Sequence, residues 1–356
     1  MAHTPPRAMN YPRFAFRLLL SRLRGVGAPL QLNVHVTDLC NLRCRYCYVD
    51  LDHPRPDLPL ETLRKILGEA RSCGTERVSL EGGEPLLRPD IGDIVDCVRE
   101  LGIECNINTN GTLAARSIAK IRRADLLSVS LDGPQEVHDR LRGAGTFAKA
   151  VQGIAAAKAA GMKVHVMTTL TRHNYRHVGA LLELARKLDF AWIPNSLFYP
   201  PGGDPRAPEA ADCRIDDAEY RKLLQELIDR KALGDPIVWS LSTLEYVRDW
   251  PGGYGKTLFF SPEVPAGFTP LPCQAARFFC VMQTNGDLYS CDPLLGFGKA
   301  ANAVALGFRE ALRRTTTNGC AACNSLVCTE YHQVFSLRLP VIWNLLRNYG
   351  HAVRRR

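Results

Sequence analysis

The feature that most constrains this chain is a serial alternation of short apolar runs and helical stripes through its first two thirds. The runs that read as strands are Leu32–Thr37, Arg77–Glu81, Ile103–Asn108, Leu126–Leu131, Val164–Leu170 and Phe190–Ile193. Between them, Leu60, Leu63, Leu67 and Ala70 share one helical face, as do Ile91, Ile94, Val95 and Val98. Phe147, Val151, Ile154 and Ala155 repeat the spacing, followed by Val178, Leu181, Leu182 and Ala185. Strand–helix units in series imply parallel strands joined by right-handed crossovers. The six units counted are fewer than the eight of a closed barrel. The expected fold is therefore α/β, a partial (β/α)6 barrel, whose chemistry belongs at the C-terminal ends of the strands.

After residue 235 the pattern changes. Segment 236–272 is rich in Pro and Gly and reads as a linker or an ordered loop, and Pro194–Arg214, with Pro200-Pro201-Gly202-Gly203, reads as a long functional loop. Cysteines concentrate from 273 to 332. The expected organisation is thus a segment 1–30, a barrel 31–235, a connection 236–272, a cysteine-rich unit 273–332 and a tail 333–356. No apolar run reaches the length of about 18 residues that a membrane span needs, and Arg17 interrupts Phe14–Leu20 with no cleavage site after it, so a secretory signal is not expected. A cytoplasmic chain is the expectation, and its 13 cysteines then read as metal ligands or thiols rather than disulfides.

Three of those thiols, Cys40, Cys44 and Cys47, are spaced x3 and x2 just past the first strand. Such crowding calls for a metal. Zinc in structural sites takes four ligands, and the nearest further donor, His53, is separated from Cys47 by five residues. An iron–sulfur cluster also takes thiolates, and three on a four-iron cluster leave one iron open. The spacing, with Tyr46 before the last Cys, resembles the radical S-adenosylmethionine (SAM) superfamily.

The resemblance extends through Glu81-Gly82-Gly83-Glu84-Pro85 at the end of the second strand. Gly82, Gly83, Glu84 and Pro85 are similar to the family segment that receives the methionine amino group of SAM. Glycine allows close backbone approach, and a strand-end carboxylate can accept from an ammonium. Asn108 and Asn110 at the third strand, and Ser130 and Asp132 at the fourth, resemble segments that touch SAM. The resemblance implies that Ser130 reaches the ribose or carboxylate, that Arg142 forks onto the carboxylate, and that Tyr46 lies by the adenine. It implies an enzyme in which a [4Fe-4S] cluster reductively cleaves SAM to a 5′-deoxyadenosyl radical that abstracts a substrate hydrogen, with a reductant such as flavodoxin or ferredoxin as electron source. The alternative is a non-catalytic iron–sulfur or zinc protein on a degenerate barrel. An intact Gly82–Pro85 segment argues against it, since a redox module has no need to hold SAM.

The second group, Cys273, Cys291, Cys320, Cys323 and Cys328, resembles the SPASM and Twitch extensions of the same superfamily, which hold auxiliary clusters. Cys280 falls where a further ligand often sits. The match is incomplete: Cys328 comes one residue early, and the next expected cysteine position is His332. The reading preferred is one auxiliary [4Fe-4S] cluster on Cys273, Cys291, Cys320 and Cys323, with Cys280 and Cys328 free. Two incomplete clusters, one ligated by His332, and a zinc site are the alternatives. By the same resemblance Asp292, directly after Cys291, is a proton acceptor from substrate, whereas an Asp capping a turn is the plain reading.

The net charge is +9, and it sits at the ends. Residues 1–37 and 333–356 each hold five arginines and no acid, so 38–332 sums to −1 and offers no groove for nucleic acid. Phe16, Leu19, Leu20 and Leu23, and Ile342, Leu345, Leu346 and Tyr349, each recur at helical spacing among those arginines, with Pro340 placed to open the second helix and Gly350 to end it. Basic amphipathic helices suit anionic membrane surfaces, which makes a peripheral membrane contact an expectation. Packing on the barrel is the alternative. Peptide, sugar-like and lipid substrates all stay open.

Overall fold

The computed structural model describes residues 11–25, 27–197 and 212–353. All the expected barrel strands form: β1 (Gln31–Thr37), β2 (Arg77–Gly82), β3 (Glu104–Thr109), β4 (Leu126–Ser130), β5 (Lys163–Leu170) and β6 (Ala191–Ser196). Neighbours in this series pair in parallel, with Leu32 opposite Val78 and Val78 opposite Cys105. One face of the sheet carries Leu32, Val34, Val78, Leu80, Ile107 and Val129, all fully buried against helices. Each such side chain contributes roughly 1.5–3 kcal/mol on burial.

The helices cover that face as their stripes require. Leu60–Cys73 buries Leu63, Ile66, Leu67 and Ala70, and Gly74, at φ 112°, closes its C-terminus onto the Ala70 and Arg71 carbonyls. Ile91–Glu100 and Val178–Leu188 bury the expected residues. Helix Thr146–Ala159 differs: Ala150, Gly153, Ile154 and Ala157 face inward and Ala155 is exposed. The cause is a close approach, because a Cβ on Gly153 would lie 2.6 Å from the Gly111 carbonyl oxygen. Only the glycine edge of the helix fits there. Two helices not expected, Ala114–Ile121 and Gln135–Arg142, have eight residues each, too few for a period to stand out.

The C-terminal part prolongs the same sheet. β7 (Leu258–Phe260), β8 (Phe279–Met282), β9 (Asp287–Tyr289), β10 (Ala301–Asn302) and β11 (Cys320–Cys323) follow. β8 pairs in parallel with β1, placing Leu32 opposite Cys280, and the sheet runs β10-β9-β8-β1-β2-β3-β4-β5-β6. The cysteine-rich segment is thus a continuation of the barrel sheet beyond its first strand. The Pro/Gly-rich connection is ordered: it holds helix Leu241–Arg248 and β7, which pairs antiparallel with the cysteine strand β11.

The first and last helices of the described residues pack on this body. Helix Tyr11–Leu23 buries Leu18 and sets Phe14 against Phe335 at 6.1 Å, while of its anticipated stripe Phe16, Leu19 and Leu23 face outward at 64, 49 and 76% exposure and Leu20 is half-buried. Three of its arginines are internal fasteners. Arg13 and Arg17 pair with Glu76, and Arg22 donates to the Phe335 carbonyl. Helix Leu339–Val353 continues through Gly350 rather than ending there, since a glycine in a last turn costs only about 1 kcal/mol. Val341, Ile342 and Leu345 pack inward, and Leu339 and Trp343 stay exposed. The Tyr349 side chain, Arg354 to Arg356, and Pro200 to Gly203 lie outside the described residues. Among the described residues no helix is long and apolar enough to cross a membrane.

Candidate active site

Parallel strands covered on both faces are normally apolar on both. Here the inward face is polar: Gln31 and Asn33, Ser79 and Glu81, Asn106 and Asn108, Ser128 and Ser130 project into a cavity of about 730 Å³. Because side chains alternate along a strand, the apolar residues packed outward on β1 to β3 leave polar neighbours facing the lumen, whereas Leu126, Met167 and Ile193 add apolar patches farther along the sheet. Leu18, Phe335, Ile342 and Leu345 close one side of the same space, which is therefore polar along the strands and apolar under the terminal helices.

The thiol loop leaves β1 at Thr37. Asp38, buried, accepts from the Arg55 backbone N–H (3.0 Å), from its Nε (2.6 Å) and from Thr284 (2.7 Å), which ties the loop to the C-terminal part. Cys40, Cys44 and Cys47 line the cavity and act on one another electrostatically. Burial pushes the Cys44 thiol up to about 11, the neighbouring Arg142 opposing and the other thiols adding to the rise. Three N–H groups aim at the sulfurs: Leu42 N to Cys40 at 3.4 Å, Asn110 Nδ2 to Cys40 at 3.9 Å and Arg142 Nη1 to Cys44 at 3.8 Å. A set of unbridged thiols with donors turned toward the sulfurs fits a thiolate-held cluster.

Gly82, Gly83, Asn108, Asn110, Ser130, Tyr46 and Arg142 share this wall. A Cβ on Gly82 would sit 2.3 Å from the Thr37 carbonyl oxygen, and one on Gly83 2.3 Å from that of Leu39. The glycines are thus required by the thiol loop as much as by any ligand. Glu84, Pro85 and Asp132 lie behind the wall. The Glu84 carboxylate, anticipated as an ammonium acceptor, already accepts from Thr109 Oγ1 (2.7 Å), Asn110 N (2.7 Å) and Leu86 N (3.0 Å). It positions Asn110. Asp132 accepts from Arg142 Nε (2.6 Å), from the Tyr46 hydroxyl and from Thr169 N (3.1 Å). The Arg142 fork is engaged by Asp132, Tyr46 and Cys44, and so fastens the thiol loop to the end of β4.

Across the lumen, Glu81 and Asp292 face one another. Burial raises Glu81 to about 8, with the charge of Asp292 adding to it, and burial raises Asp292 too, against a hydrogen bond from Asn33. Burial thus favours the neutral form of both carboxyls, and the charge of Asp292 favours it further at Glu81. Asn108 Nδ2 donates to Glu81 Oε2 at 2.8 Å and Asn33 Nδ2 to Asp292 at 3.1 Å.

Cys273, Cys291, Cys320, Cys323 and Cys328 come together. Cys328 lies within hydrogen-bond reach of both Cys291 and Cys323, and Cys320 feels the charges of Cys291 and Cys273. Cys280 does not join them. It sits 2% exposed in the barrel core, while its neighbour Phe279 packs with the cysteine group on the opposite face of the strand. Cys280→Ala is therefore expected to leave the iron content of the reconstituted protein unchanged; a loss of iron would reinstate it as a ligand. His332 accepts from Gln274 N at Nδ1 (3.1 Å) and lies 3.7 Å from the Cys323 sulfur at Nε2. Burial lowers it to about 4, so it is neutral, and Nε2–H is a donor to sulfur with no lone pair left for iron.

The strands' polar inward residues were the signal that sequence reading passed over. Gln31, Asn33 and His35 alternate with Leu32, Val34 and Val36, a period-2 pattern that marks a filled lumen. A parallel partial barrel with three thiols past its first strand, and a lumen that they share with Cys328 of a second thiol group, is the arrangement of an enzyme built around a thiolate-held metal centre. The comparisons agree. The model of the Radical SAM superfamily matches residues 34–185. The PqqA peptide cyclase of Streptomyces rochei is 32% identical over 267 residues, 71% of each chain. The Fe-coproporphyrin III synthase of Methanosarcina barkeri is 34% identical over 172 residues, 46% of this chain and 42% of its own length, so this chain spans less than half of that relative. SuiB of Streptococcus suis, solved bound to S-adenosylmethionine, shares the fold with a TM-score of 0.60 at 19% identity, over 82% of this chain and 67% of that one. The chain belongs to the radical SAM superfamily, and is an enzyme of it.

Proposed function

We propose that this enzyme oxidises a substrate held in the lumen: a hydrogen atom is abstracted on the side of Cys40, Cys44 and Cys47, a proton passes to Asp292 on the other, and the remaining electron would pass to an auxiliary cluster held by the second thiol group. The observation that carries this reading is that one cavity is lined both by the first thiol group with Asn110, Ser130 and Arg142 and by Asp292 and Cys328. With a [4Fe-4S] cluster and SAM bound, reduction by a flavodoxin- or ferredoxin-type donor supplies a hydrogen-abstracting radical. The chain's own part is to orient. Asn110 and Arg142 steady the sulfurs, Ser130 offers a hydroxyl at the strand end, and Asn33 aims the Asp292 carboxylate. A single auxiliary cluster, on four of the five converging thiols, is favoured because His332 is engaged at both nitrogens. Anaerobic protein with SAM and dithionite should form 5′-deoxyadenosine, and Asp292→Asn should retain that cleavage while losing substrate oxidation. Absence of 5′-deoxyadenosine from the reconstituted wild type would sink the reading.

An amphiphilic substrate drawn from a membrane surface is the class that the walls favour, because Leu339, Ile342, Leu345 and Leu346 line the cavity and the same helix exposes Leu339, Trp343 and Leu346 at its mouth. Their apolar surface, with the exposed Phe16, Leu19 and Leu23 and the acid-free basic ends, suits an anionic bilayer. Full-length protein is expected to float with anionic liposomes. Trp343→Ser with Leu339→Ser should reduce flotation severalfold, and no flotation of the wild type would remove the idea.

A further inference from the structure

The lumen contains a group that the proposed reaction only partly uses. His35 is 3% exposed, and its Nε2 has no hydrogen-bond partner. That atom points at Glu81 Oε1, 3.8 Å away, which is likewise buried and unpartnered. Asp292 completes the set: one ligand atom from each of the three residues lies within 4.8 Å of the others. Neither carboxylate forms an ion pair with a lysine or arginine among the described residues. Asn108 and Asn33 hold the two carboxylates from behind by side-chain amide N–H groups. That is the outer-shell support that keeps metal ligands oriented. A buried, unpaired imidazole nitrogen and an unpaired carboxylate oxygen each cost free energy unless something fills the space between them.

We propose that His35, Glu81 and Asp292 form a mononuclear divalent-metal site in the substrate lumen. An imidazole with two carboxylates suits borderline first-row ions such as Mn2+, Fe2+ or Zn2+ rather than Ca2+ or Mg2+, which prefer oxygen alone. Three protein ligands leave coordination positions open, and Glu81 and Asp292 line the cavity, so those positions face the substrate. The site would take an oxygen donor of the substrate, a hydroxyl, carbonyl or carboxylate, and hold it beside Asp292, whose carboxylate Asn33 Nδ2 orients. The assignment of the substrate group rests on the lumen being the substrate site; the metal site itself does not.

The test uses full-length, cluster-loaded protein under anaerobic conditions, titrated with Mn2+ and read by the room-temperature electron paramagnetic resonance signal of the free ion. One Mn2+ is expected to bind per chain. His35→Gln and Asp292→Asn should each weaken binding at least about tenfold, with iron content unchanged as the control for intact clusters. A wild type that retains neither Mn2+ nor Zn2+ overturns the proposal, as does uptake equal in wild type and both variants. An infrared band of a protonated carboxyl that persists at saturating Mn2+ in the wild type, and is lost in Glu81→Gln, also overturns it, because a proton would then occupy the space. Metal uptake is read without turnover, so a protein that binds Mn2+ but forms no 5′-deoxyadenosine would fail the proposed reaction and keep the site.

Discussion

Replacing Cys40, Cys44 and Cys47 together by alanine is expected to remove about four of about eight irons per chain and to abolish 5′-deoxyadenosine formation, because three thiolates hold one four-iron cluster. The effect should be complete rather than graded. The N–H groups of Leu42, Asn110 and Arg142 are aimed at sulfur, and none of them can hold iron. Iron and sulfide quantitation after anaerobic reconstitution checks the first part, and chromatography of the reaction mixture the second. Retention of about eight irons in the variant would remove the first thiol group as a cluster site. About twelve irons in the wild type would instead show two auxiliary clusters, against the single one favoured above.

Asp132→Ala is expected to cost about 3–5 kcal/mol, the loss expected when one partner of a buried ion pair is removed. Asp132 is fully buried and Arg142 is 9% exposed, and the two meet at 2.6 Å. Without Asp132 the guanidinium stays buried without its counter-charge, and the Thr169 N–H and the Tyr46 hydroxyl lose their acceptor. The midpoint of urea unfolding should fall at nearly constant slope. The double variant Asp132→Leu/Arg142→Met should recover much of the stability, since removing both charges leaves neither unpaired. It should not recover SAM cleavage, because Arg142 also fastens Cys44 and Tyr46. A double variant as active as the wild type would show that the pair serves only the fold.

Much of this was legible in the chain itself. Strand order, the position of the thiol loop and the helical faces of Leu60–Cys73, Ile91–Glu100 and Val178–Leu188 follow from period and spacing, because local patterning alone sets which face of an element is buried. The Thr146–Ala159 helix turned from its stripe because Gly153 meets Gly111, a contact between elements about forty residues apart. Cys280 matched a ligand by spacing and lies on the wrong face of β8, since alternation along a paired strand, not distance along the chain, decides which side a thiol reaches. The terminal stripes follow the same logic. Phe16, Leu19 and Leu23 carry the helical period, yet the neighbouring Phe14 and Leu18 are the residues that pack.

By itself the sequence determined the superfamily, the first thiol group and the segments placed around SAM, because those depend on residues close together in the chain and on strand ends in a set order. Tertiary structure alone decided which distant groups face one another. β8 pairs with β1, which brings Asp292 to within hydrogen-bonding distance of Asn33 and opposite Glu81. The chamber lined by Cys40, Cys44 and Cys47 also reaches Cys328 of the second thiol group. The physical reason is that contacts across a sheet depend on register and strand order, which spacing along the chain does not encode.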